Sequence, residues 1–139
     1  VFTLQAGKFI SSDNIKPEGK YPCYGGNGLR GYVDTCNRSG RFPLIGRQGA
    51  LCGNINIAEG DFYATEHAVV VQGYYNFVAD WAAYFLRALN LNQYATATAQ
   101  PGLAVNKIIQ IVFPLPPLAE QQRIVERLEQ LLPLCDALE

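Results

Sequence analysis

Methionine is missing from all 139 residues, tryptophan and histidine occur once each, and the four cysteines form no CxxC pair. Each absence narrows the chemistry. With one histidine (His67) and with Cys23, Cys36, Cys52 and Cys135 spaced far apart, no zinc or redox constellation can be drawn. Reduced, buried thiols in a cytoplasmic protein are the expectation. There is no run of eighteen or more apolar residues, so no membrane-spanning helix is expected. No basic stretch followed by an apolar one opens the chain, as a secretion signal would. A first residue other than methionine and a helical pattern cut off at Glu139 suggest a piece of a longer protein.

What is present is ordinary for one globular domain, with 49% apolar and 17% charged residues. The net charge of −1 conceals an asymmetry. Between residues 20 and 56, Lys20, Arg30, Arg38, Arg41 and Arg47 face one acid, Asp34, a net of +4. From residue 114 onward, Arg123 and Arg127 face Glu120, Glu126, Glu129, Asp136 and Glu139, a net of −3. Two surfaces with different partners are therefore expected.

Short β-rich pieces at 21–24, 29–33, 42–45, 52–57, 62–65 and 67–71 follow an incoming segment over 1–20. Turns are expected at residues 25–28, 37–40 and 59–61, where Gly and Asn tolerate positive φ. At 77–89 the period changes: Phe77, Trp81, Phe85 and Leu89 fall four apart, predicting an amphipathic helix capped by Asn76. A short helix at 103–109 and a strand at 110–113 lead to Pro114-Leu115-Pro116-Pro117, which must be extended. A helix can start only after it. There Ile124, Leu128, Leu131, Cys135 and Leu138 alternate four and three apart, the seam of a coiled coil. Pro133 is expected to kink or end that helix, since an interior proline costs ~3 kcal/mol.

The fold class expected is α/β (α+β): a twisted, mainly antiparallel sheet with a packed amphipathic helix and a C-terminal coiled-coil-type spacer helix. The boundaries are 1–113 for the domain, 114–117 for the hinge and 118–139 for the start of the helix.

Nucleic-acid binders need cations for phosphates and forked or amide side chains for base edges. Arg30, Arg38, Arg41 and Arg47 supply the forks, and Asn27, Gln48, Asn54 and Asn56 the amides. The competing reading is a solvated sheet surface. A Glu66-His67 pair invites a general-base role, but no second histidine or nucleophile elbow accompanies it, so a structural or DNA-contacting histidine is favoured. Residues 25–28 lack the Lys-Ser/Thr of a phosphate loop, and a tight turn is the better reading.

Residues 114–125, Pro-Leu-Pro-Pro-Leu-Ala-Glu-Gln-Gln-Arg-Ile-Val, closely resemble the junction between a target recognition domain and its spacer helix. The family is the DNA-specificity subunit of type I restriction–modification enzymes. Tyr24-Gly25-Gly26-Asn27-Gly28-Leu29-Arg30-Gly31-Tyr32, Leu44-Ile45-Gly46-Arg47-Gln48-Gly49, Phe62-Tyr63-Ala64-Thr65-Glu66-His67-Ala68 and Gln100-Pro101-Gly102-Leu103 with Asn106 fit it in order. The resemblance implies a non-catalytic reader of one half of a split double-stranded DNA target. Its partners would be methyltransferase (M) and restriction (R) subunits and a second recognition domain, paired through the spacer helix. S-adenosylmethionine, ATP and magnesium are expected in the partner subunits, and no cofactor in this chain. Consistently, no Pro-Pro-aromatic methyltransferase motif occurs. The resemblance names no base readers. On chemistry alone, Arg30, Arg38, Arg41, Arg47, Gln48 and Asn27 are candidates for base edges or phosphates, and Lys20, Thr98 and Lys107 for phosphates. Two alternatives remain: the recognition part of a fused restriction–methylation enzyme, and an assembly module that never touches DNA.

Overall fold

A computed structural model describes the chain apart from residues 1, 50, 74–76, 97–101, 112–113 and 139. Six strands come first: β1 (Phe2–Ala6), β2 (Tyr21–Gly25), β3 (Gly28–Val33), β4 (Arg38–Gly46), β5 (Ile55–Ala64) and β6 (Ala68–Gly73). Helices α1 (Ala79–Leu89), α2 (Val105–Ile108) and α3 (Leu118–Asp136) follow, with a 3-10 turn at Leu91–Tyr94 between the first two. The strands form one sheet in the order β1-β6-β4-β5-β2-β3. Its neighbours are antiparallel except β2 and β5, which pair in parallel through Cys23↔Tyr63 and Tyr24↔Ala64. This is the mainly antiparallel α+β architecture expected.

Strand alternation divides the apolar residues between two cores. Ile45, Val69 and Val71 point to one face and pack with Ala83 and Leu86 of α1, Leu91, Leu103 and Ile108. Their neighbours Leu44 and Val70 point to the other and join Ala58, Phe62, Ala64 and Ala68. Among the described residues no helix contributes to this second core, so the sheet covers it with itself. The long β4–β5 ribbon does this by curling. Its far end returns to β1, where Arg38 donates to Gln5 Oε1 at 2.5 Å and Lys8 N–H donates to the Ala64 carbonyl at 3.0 Å. Gly40 and Gly60 sit opposite each other in that ribbon with φ of +134° and +83°. Facing glycines in this region let both strands bend without breaking the ladder.

The bend corrects two sequence expectations. Residues 37–40 and 59–61 are not turns: from Arg38 and through Asp61 they lie within β4 and β5. Residues 1–20 also hold a strand, because β1 pairs with β6 along its whole length. At the other end of the domain, Gln110 and Ile111 lie outside any strand, and the rest of the expected 110–113 strand falls outside the described residues. So does Asn76, the expected cap of α1.

Helix α1 is wedged between layers. Ala83 and Leu86 face the sheet, while Trp81 and Ala82 meet Ile124 and Val125 of α3. Part of the expected coiled-coil seam is therefore used within the domain: Ile124 and Leu128 are half-buried, and only beyond them do Leu131, Cys135 and Leu138 become exposed. Pro133 does not end α3, which runs on to Asp136. The carbonyl at Glu129 that loses its partner lies at an exposed position, where water can serve it.

Candidate nucleic-acid interface

Three connections meet at one end of the curled sheet: the β2–β3 turn at Gly26 and Asn27, the β4–β5 loop over 47–54, and the β5–β6 turn over 65–67. They meet because Gly46 has no side chain. A Cβ there would lie within 3 Å of the Gly26 carbonyl oxygen and of the Asn54 amide. Asn54 fastens the junction. Its amide meets that of Asn27 at 3.0 Å, and with its nitrogen turned inward it donates to the carbonyls of Gly26 at 2.8 Å and Leu51 at 3.2 Å.

Backbone bonds hold the other members. Arg47 N–H donates to the His67 carbonyl at 3.0 Å, and the Arg47 carbonyl accepts from Leu103 N–H at 2.8 Å. Gln48 forms a β-bridge with Gly102, drawing the segment after α1 to the same place. Thr65, wholly buried, receives His67 N–H on its hydroxyl at 3.3 Å and gives its own N–H to Tyr24 at 3.0 Å. These bonds fix the backbone of the three connections, on which the Gln48 side chain is exposed.

The result is an open hollow of about 570 Å³ lined by Gly26, Asn27, Leu29, Arg30, Gln48 and His67. The Arg30 stem lies over Gly25. Among the described residues the side chains of Arg30 and Gln48 make no hydrogen bond or ion pair. Arg47 is half-buried beside them, its Nη1 at 3.5 Å from the Glu66 carbonyl. His67 Nε2 lies 3.2 Å from Glu66 Oε1. Cys23, wholly buried on β2, lies within electrostatic reach of Arg30 and Glu66. Burial pushes its thiol above the ordinary thiol range, with Arg30 opposing and Glu66 adding to the shift. A fork, two amides and an imidazole around an exposed Leu29 is a set suited to base edges and thymine methyls.

Of the residues singled out from sequence, Asn27, Arg30, Arg47 and Gln48 are brought together here. Arg38 and Arg41 are not. Arg38 is tied to Gln5, and Arg41 bridges Glu59 at 2.8 Å and Asp80 at 2.6 Å, joining the sheet to the start of α1. Lys20 lies at the opposite end of β2, its ammonium 5.1 Å from the centre of the Tyr21 ring. Lys107 is exposed on α2, beside Gln93 and Tyr94 of the 3-10 turn. Thr98 lies outside the described residues. Leu29 carries no signal in the sequence that would mark it as part of the hollow, and His67, expected to be structural or DNA-contacting, lines it. The adjacency of Glu66 and His67 was readable, but their place beside Arg30 depends on the sheet's curl.

The model of the type I restriction modification DNA specificity domain matches residues 1–139. The chain is 48% identical over 134 residues to the EcoprrI specificity subunit of Escherichia coli, covering 94% of this chain and 33% of that protein. Its fold is similar to the type I S subunit from M. genitalium, with a TM-score of 0.78 at 21% identity over 92% of this chain and 36% of that one. The HsdS subunit from Thermoanaerobacter tengcongensis gives 0.72 at 23% identity, over 99% and 37%. The chain thus spans about a third of the length of these relatives. With the family model covering every residue, the chain belongs to the type I restriction modification DNA specificity domain family.

Proposed function

We propose that this domain reads one half of a bipartite double-stranded DNA target, without catalysis of its own, for a type I restriction–modification complex in the cytoplasm. One observation carries the reading: Arg30 of β3, Asn27 of the β2–β3 turn, Gln48 of the β4–β5 loop and His67 of the β5–β6 turn line one open hollow with Arg47 beside it, and among the described residues the exposed Arg30 and Gln48 side chains make no hydrogen bond or ion pair. Forked and amide side chains held on a rigid backbone are what base-edge recognition requires. Arg30 and Gln48 are the base readers in this account, and Arg47 a phosphate contact. Methyltransferase and restriction subunits, which would hold S-adenosylmethionine, ATP and magnesium, are the expected partners. The arm begun by α3 would join this domain to a second recognition domain.

The test is a titration of labelled duplex DNA at several salt concentrations. Arg47→Ala should weaken binding to all sequences alike and reduce the salt slope by about 1, whereas Arg30→Ala should relax discrimination at one position by ~1–3 kcal/mol. Arg41→Ala, away from the hollow, should leave both unchanged. A second reading, assembly through α3 without DNA contact, draws on the exposure of Leu131, Leu134 and Leu138. It predicts no duplex binding even at low salt.

A further inference from the structure

Most of the sequence Leu118-Ala119-Glu120-Gln121-Gln122-Arg123 that opens α3 faces solvent, but Gln121 is wholly buried. A long amide enclosed this way must be using both ends. Its Oε1 accepts the N–H of Val78 at 2.8 Å, and its Nε2 donates to the Pro116 carbonyl at 2.9 Å. Val78 is the residue before α1, which has no side-chain cap from its own segment. One side chain therefore ties together the proline hinge, the first turn of α3 and the start of α1. Because the two ends of an amide differ, α3 cannot rotate about its axis or slide by a residue without losing one bond.

The clamp is short. One turn further on, Ile124 and Val125 pack on Trp81 and Ala82. From Leu131 onward the helix is exposed. The stretch Val125–Asp136 is therefore a lever, reaching about 16 Å at 1.5 Å per residue. A tilt of ~10° at the clamp moves its tip by ~3 Å, close to the 3.4 Å rise of one base step.

We propose that Gln121 is the positioning residue that sets the angle and rotation at which the arm leaves the domain, and with them the distance at which the DNA-reading face is held from the domain joined to that arm. The statement about distance along DNA rests on the proposed DNA-reading function. The statement about the arm's angle does not.

Two exposed native cysteines, Cys36 on the domain and Cys135 on the arm, allow spin labels to be attached directly, since Cys23 and Cys52 are buried. The distance distribution between the labels should be narrow in the wild type. Gln121→Leu, which keeps the volume and loses both bonds, should broaden it by several ångström. Gln121→Glu, which retains the acceptor for Val78 but not the donor to Pro116, should fall between them. It replaces Gln121→Leu if that variant does not fold. A folded variant with the wild-type distribution overturns the proposal. In the intact specificity subunit, preference for the correct gap between half-sites over a gap one base pair longer should drop roughly tenfold, while affinity for a single half-site stays. An arm that loosens without any change in gap preference overturns the spacing half. If the wild-type subunit binds no DNA, the proposed function fails, and the label distances still judge the clamp.

Discussion

Replacing Gly46 with alanine adds one methyl group where none fits, and the structure says what that methyl meets. It would come within 3 Å of the Gly26 carbonyl oxygen and the Asn54 amide, the two groups that join the β2–β3 turn to the β4–β5 loop. The backbone at Gly46 is not in the left-handed region, so the penalty is steric alone. Overpacking of this kind costs about 1–3 kcal/mol, and the rigid carbonyl partner puts Gly46→Ala at the upper end. Gly60→Ala is the complementary case. Its φ is +83° and nothing lies within 4 Å of the added Cβ, so its cost is conformational, roughly 1–2 kcal/mol. For a domain of this size, 1 kcal/mol shifts Tm by about 3–4 °C, which predicts a loss of ~10 °C for Gly46→Ala and ~5 °C for Gly60→Ala. The two should also separate in function. Well below either Tm, Gly46→Ala should weaken duplex binding because the loops no longer meet, and Gly60→Ala should not. Thermal melting by circular dichroism and a duplex titration decide it. A Gly46→Ala protein that melts no lower than Gly60→Ala, or that binds DNA as the wild type does, would mean that the loops do not depend on the close approach at Gly46.

Other perturbations test the cores and charges. Phe62 is wholly buried and meets Tyr24 and Phe42 edge-on at 5.6 and 6.4 Å, so Phe62→Ala should cost ~3–5 kcal/mol in urea unfolding. A loss below 1 kcal/mol would mean that the curled ribbon encloses no real core. Arg41→Ala removes bridges whose members are 28–70% exposed in their side chains, so it should cost under ~1 kcal/mol. A thiol reagent at neutral pH should label Cys36 and Cys135, and reach Cys23 and Cys52 only in denaturant. Burial raises the Cys23 pKa, so the folded protein holds that proton more tightly than the unfolded chain does. The resulting stability is complete below the unfolded thiol's pKa and is lost as pH climbs through and above it. Tyr24 and Tyr63 shift in the same direction, so the measurement is the difference in alkaline decline between wild type and Cys23→Ala. Identical declines would contradict it.

Local pattern made much of the fold readable. The strands over 21–33 and around residues 42–45, the helix in the stretch 77–89 and the proline block before α3 all followed from alternation, period and proline chemistry. β1 had the right alternation, with Phe2, Leu4 and Ala6 half-buried and Thr3 and Gln5 exposed, but its partner β6 lies far along the chain. Gly60 shows the opposite difficulty. Glu-Gly-Asp is turn chemistry in any local window, and only pairing with Gly40 makes it a bend within a strand. The same non-local cause explains the arginines. Composition placed five cations between residues 20 and 56 but could not say which find carboxylates. Arg41 was claimed by Glu59 and by Asp80, residues contributed by β5 and α1. No local pattern marks Gln121 as buried, because the Val78 N–H that it accepts lies more than forty residues upstream.

We propose that the Arg30–Gln48 hollow reads one half of a split target. Selection of bound sequences from a random duplex pool, using the intact specificity subunit in its complex, tests it directly when repeated with Arg30→Ala and Gln48→Ala combined. The wild type should select a two-part consensus, and the variant should lose specified bases in one part while the other is unchanged. A variant that selects the same complete consensus would contradict it.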